Sequence, residues 1–141
     1  MWRIAQLDMD YRRVSVGLGL FSLALGAAEL FASRRIARRL DAEDHAGLVK
    51  GVGAREVAAG IGILASPAAS TTVWNRVAGD AMDLGALGLA ARRAPRKRAI
   101  WGALAFVTGA TILDVLTARG LDRQTGKLLP LREAAQVPAN A

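Results

Sequence analysis

Four apolar stretches separated by short polar turns dictate most of what this chain can become. Two acids, Asp80 and Asp83, sit in the middle of one of them. A run of about 20 apolar residues is long enough to cross a bilayer core as one helix. Inside hydrocarbon every backbone polar group must be satisfied within its own segment, which a helix does. The expected fold is therefore all-α: an integral membrane four-helix bundle with short loops over residues 1–120, then a polar C-terminal tail over 121–141.

The expected spans cover about residues 14–32, 48–66, 74–91 and 99–118. The first holds only Glu29 as a charge and the fourth only Asp114. The second holds Lys50, Arg55 and Glu56, and the third holds Arg76, Asp80 and Asp83. Between two strongly apolar neighbours, these two read as inner helices whose polar faces turn into a bundle. Pro67 and the run Ser70-Thr71-Thr72 favour a turn between them. In an alternative register the second span ends near Trp74. Arg34 to Leu40 is expected to form a short interfacial helix with Ile36 and Leu40 toward lipid. Asp41 or Asp44 is expected to cap the helix that follows. The polar tail from Leu121 onward is expected to pack weakly.

Composition narrows the function. Hydrophobic residues make up 52% of the chain although 22% is charged, and mean hydropathy is +0.26. A net charge of +7 and a pI near 11.2 raise nucleic acid as a partner. The basic residues punctuate apolar spans, however, and no RNA- or DNA-binding motif is visible. That pattern fits lipid headgroups and the positive-inside rule, so no nucleic acid partner is expected. Four Lys or Arg lie in 33–47 and five in 92–98, against none in 67–73. The two basic loops are therefore placed in the cytoplasm and both termini outside, in a bacterial inner membrane. Arg3, Arg12, Arg13 and the basic C-terminal tail count against this orientation. Tyr11, Trp74 and Trp101 stand at span starts, where interfacial aromatic residues gather.

Small residues recur regularly. Gly17, Gly19 and Gly26 match Gly51, Gly53 and Gly60 at a constant offset of 34. Gly102 and Gly109 are seven apart, nearly two helical turns. Ser15, Gly19, Ser22, Gly26 and Glu29 form one seam, and Gly53, Glu56 and Gly60 another. Gly19, Gly26, Gly53, Gly60, Gly102 and Gly109 are expected to pack helices closely, since packing drives association in lipid. A polar cavity, self-association or an inverted repeat are the alternatives.

The span charges set the chemistry. Glu29, Arg55, Glu56, Arg76, Asp80, Asp83 and Asp114 are expected to form a buried polar network. By depth, Glu29 should lie level with Arg55, and Arg76 with Asp114. Glu56, Asp80 and Asp83 should lie near mid-membrane. Arg55 and Glu56 are adjacent and should find separate partners. Five acids face two arginines, so three carboxylates need a proton, water, or a hydroxyl such as Ser22, Thr108 or Thr111. Either the network is structural and fixes helix register, or it is a proton or cation site centred on Glu56, Asp80 and Asp83.

Catalytic and cofactor chemistry find little support. The chain has no cysteine and one histidine, His45, in an acidic loop. Disulfides, iron–sulfur clusters, thiol catalysis and a haem held by two histidines of one copy are excluded. No metal, cofactor or catalytic residue is expected. Gly17-x-Gly19 and Gly51-x-Gly53 lie inside spans with no strand before them, so they are not dinucleotide fingerprints. The polar N-terminus, followed by a long apolar run, does not read as a cleavable signal peptide.

The segments GLGLFSLALGAAEL, VGAREVAAGIGIL, NRVAGDAMDLGAL and ILDVL resemble a family of small bacterial multi-pass membrane proteins. That family is commonly named for cyclase/dehydrase or SRPBCC proteins. The likeness covers roughly residues 14–120. The enzyme-like name belongs to relatives carrying a soluble START-like domain, which is not expected in the short stretch after Ala118. The resemblance thus implies the membrane fold and no activity. The leading expectation is a non-catalytic accessory or scaffolding subunit that packs against another membrane protein or a second copy. A small proton- or cation-coupled carrier or channel comes next, then a lipid- or quinone-binding module.

Overall fold

The computed structural model describes residues 10–40 and 42–125. All regular structure among them is helical: α1 (Tyr11–Arg39), a single 3-10 turn (Glu43–His45), α2 (Ala46–Ala65), α3 (Ser70–Arg93) and α4 (Arg98–Thr125). α1 and α2 form one closely packed antiparallel hairpin and α3 and α4 a second. The pairs α1–α4 and α2–α3 meet at fewer points and close the ring.

Local chemistry sets the helix ends. Asp10 caps α1, its carboxylate accepting from the Arg13 amide and pairing with the Arg13 side chain at 3.2 Å. Arg38 and Arg39 end α1, where cations suit the helix dipole. Ala32, with φ −109° and ψ 18°, breaks the helical geometry where the first apolar stretch ends. The expected helix from Arg34 is thus the part of α1 beyond this kink, with Ala37 buried and its arginines exposed. The turn over 66–69 contains Pro67, which rules out the register running to Trp74.

Two expectations are corrected. α2 begins after His45 without any side-chain cap, and Asp44 lies exposed in the 3-10 turn. Asp41 lies outside the described residues. α4 continues past 118, and Leu121 is fully buried with Leu18, Ile63, Val73 and Ala118. Tyr11 closes this end by laying its ring on Gly120, where a Cβ has no room. The weakly packed tail therefore cannot start at Leu121, and residues 126–141 lie outside the described part.

Glycine explains the α1–α2 hairpin. A Cβ on Gly26 would sit 2.6 Å from the Gly53 carbonyl oxygen, and one on Gly60 would sit 2.8 Å from that of Gly19. Gly26 thus meets Gly53 and Gly19 meets Gly60, as antiparallel helices with the same seven-residue spacing must. The offset of 34 reflects this shared spacing and requires no duplicated unit. Gly102 and Gly109 differ. Both are exposed and meet nothing within 4 Å, so inside the chain they pack no helix.

Gly26→Ala is expected to lower stability by about 1–3 kcal/mol, because the clash is with backbone that cannot swing aside. Gly17→Ala, where nothing lies within 4 Å, should be neutral or stabilising by up to about 1 kcal/mol through helix propensity. Thermal unfolding of the two variants against the parent checks both.

Candidate functional site

The candidate site is the polar centre of the bundle, built from polar and charged side chains of all four helices. Arg76 on α3 is its hub and is 2% exposed. Its Nε donates to Asp114 Oδ2 on α4 at 2.7 Å, and its Nη1 to Glu56 Oε2 on α2 at 3.0 Å. Ser22 on α1 donates to the same Glu56 oxygen at 2.6 Å and lies 2.8 Å from the Glu56 carbonyl oxygen. The path Ser22, Glu56, Arg76, Asp114 therefore ties all four helices together through side chains.

A second, more open group adjoins it. Arg55 on α2 donates to Asp83 on α3 at 2.6 Å and to Glu56 Oε1 at 3.2 Å. Its guanidinium occupies the space that a Cβ on Gly79 would fill. Gly79 is thus required by the ion pair on the neighbouring helix. The Thr111 hydroxyl shares its one hydrogen between the Val107 carbonyl oxygen at 2.7 Å and Asp80 Oδ2 at 3.2 Å.

The structure brings most of the expected network together and revises its wiring. Arg76 and Asp114 pair, as their depths require. Glu29 lies beside α2, its Cβ 2.9 Å from where a Gly53 Cβ would stand, yet among the described residues Arg55 pairs with Asp83 and Glu56 instead. The expectation that Arg55 and Glu56 take wholly separate partners fails, because the long arginine stem folds back to its neighbour. Glu29 and Asp80 make no ion pair among the described residues, and Glu29 Oε2 and Asp114 Oδ1 are buried without a hydrogen-bond partner there. Thr108 is exposed and serves none of the acids.

Sequence reasoning missed three contributors. Trp74 donates its indole N–H to Asp122 at 3.0 Å, so it locks α3 to α4 in addition to standing at a helix start. Asp122 fell in the expected tail. Gly79 carried no signal, since its role depends on a side chain one helix away. Among the described residues no group of three or more His, Cys, Asp or Glu side chains is placed to hold a metal ion. Comparisons with protein families, characterised proteins and solved structures find no match.

Removing one partner of a buried pair strands the other charge. Asp114→Asn and Arg76→Met are each expected to cost about 3–5 kcal/mol. Asp83→Asn should cost distinctly less, because the Arg55 and Asp83 side chains remain 28% and 21% exposed. Arg76→Lys should not rescue, since one ammonium cannot reproduce the two-sided guanidinium grip. Denaturation of the four variants tests this ranking.

Proposed function

We propose that the chain is a multi-pass integral membrane bundle that acts without catalysis, as an accessory or scaffolding subunit packed against another membrane protein or a second copy. The observation that carries this reading is an inverted distribution of polarity. The interior holds Ser22, Glu56, Arg76 and Asp114, while the outer surface carries Phe31, Trp101, Ile112 and Leu116, all more than half exposed. Water does not favour that arrangement, and hydrocarbon does.

Two helices, α1 and α4, are long and apolar enough to cross a membrane. Such helices also occur in soluble cores, where they are mostly buried. Here only 28% of the apolar window of α1 and 11% of that of α4 is buried. The charges of α2 and α3 answer each other inside the bundle, which lets less apolar segments share the same environment. The accessory role is supported by how the charges are spent, since both arginines are engaged by carboxylates of the same chain. Gly102 and Gly109 leave a shallow, apolar strip on the outer side of α4, where a partner helix can approach closely.

A second reading rests on Glu29 Oε2 and Asp114 Oδ1, buried without partners among the described residues. Unmatched carboxylate oxygens of this kind suit a proton- or cation-coupled carrier.

Native mass spectrometry in mild detergent separates these. The accessory reading expects an assembly of fixed stoichiometry that Gly109→Leu dissociates without lowering the thermal midpoint, since that glycine touches nothing within the chain. A monomer whose liposomes show pH- or cation-dependent flux, lost in Glu29→Gln, would overturn it in favour of the carrier.

A further inference from the structure

Topology brings both basic segments to one end of the bundle. α1 ends, α2 begins, α3 ends and α4 begins there. Residues 34–39 contribute four arginines and residues 92–98 five basic side chains, against Asp41, Glu43 and Asp44 as the acids of the same turns. At the opposite end the turn 66–69 carries no charge, and Arg12, Arg13, Arg119 and Arg123 stand against Asp10 and Asp122, a smaller basic excess. Arg92, Arg93, Arg96 and Arg98 are exposed, as are all four arginines of the α1 extension.

The surroundings of these charges identify what they face. Phe31 is 93% exposed immediately before the kink at Ala32. Trp101, in the first turn of α4, is 53% exposed and donates its indole N–H to the Pro95 carbonyl at 2.9 Å. Leu48, in the first turn of α2, is also exposed. A tier of exposed apolar and aromatic groups thus lies directly beneath a tier of guanidiniums. An open recess lined by Ala94, Pro95, Arg96 and Lys97 sits at the α3–α4 turn, beside Trp101. Nucleic acid would reward the arginines but not the apolar tier below them. A lipid rewards both: phosphate takes the guanidiniums bidentately and the acyl region takes the aromatic groups.

We propose that this end of the bundle binds the headgroups of anionic phospholipids along its exposed arginines, with Trp101 against the glycerol and upper acyl chain. The inference rests on the membrane reading and adds a lipid preference to it. The same surface holds the basic end at the more anionic leaflet, since each cation near such a surface contributes to retention. Attraction of this kind between exposed charges weakens with added salt.

The test reconstitutes the full chain into vesicles of phosphatidylcholine mixed with phosphatidylglycerol, then extracts it in mild zwitterionic detergent for native mass spectrometry. Phosphatidylglycerol should be retained at least about fivefold over its share of the mixture. The excess should shrink at high salt and fall toward unity in the triple variant R92Q/R93Q/R96Q. The double variant R12Q/R13Q, at the other end, should keep it. The salt series on the unaltered chain stands even where the triple variant fails to fold. Equal retention of both lipids by a chain that resists alkaline washing from the vesicles overturns this inference alone. Release by the wash overturns the membrane reading and this inference together. Salt-sensitive binding of a labelled RNA oligonucleotide at the basic end, without lipid preference, would also overturn it.

Discussion

The guanidinium of Arg76 is the constraint on which the bundle depends. It cannot be left unpaired at 2% exposure, so a carboxylate must stand on each side of it. Those carboxylates belong to different helices, Glu56 to α2 and Asp114 to α4, while Ser22 of α1 holds Glu56 from behind. One side chain therefore sets the relative height of three helices and, through a hydroxyl, the fourth. A slip of one turn in any of them would move a charge about 5.4 Å from its partner. Apolar packing would tolerate such a slip far better, because one aliphatic contact substitutes for another.

The first hairpin and the junction between the hairpins are held by different forces. α1 and α2 meet through glycines whose missing side chains let backbone touch backbone. The α2–α3 junction has little such contact and relies on Arg55 reaching Asp83 and Arg76 reaching Glu56. Gly79 serves this electrostatic joint in a way unlike Gly26 or Gly53. It clears space for a charged group, where the others clear space for a helix. The same residue type thus does steric work in one interface and makes an ion pair possible in the other.

Much of this was legible in the sequence, and the limits have physical causes. Four helices, the turn at Pro67 and the pairing of Arg76 with Asp114 follow from hydropathy, turn chemistry and depth. These depend on position along one axis, which a linear sequence encodes well. Rotation about each helix axis is harder to read, and the misplaced details all involve it. Whether Arg55 reaches Glu29 or Asp83 depends on which way α2 faces when docked. The identical spacings at Gly19, Gly26, Gly53, Gly60 and at Gly102, Gly109 predicted one role for six residues. Only four face another helix, because α4 turns Gly102 and Gly109 outward. The tail was misjudged because Leu121 looks isolated among polar residues, and its burial depends on Tyr11 and Val73 from distant parts of the chain.

The outward turn of α4 and the inward turn of the charges belong to one solution. A helix that places Asp114 and Thr117 inward must present the rest of its circumference outside, and on α4 that remainder is apolar from Ala99 to Leu116 apart from Thr108. In water such a surface would be driven to collapse, and the ion pairs of the interior would compete with hydration. In hydrocarbon both penalties reverse. The surface is then solvated by chains like itself, and the buried charges have nowhere to go except to one another. The proposed membrane setting would account for both features at once, with an ionic core joining α2 and α3 to the two helices that are apolar enough to cross a bilayer.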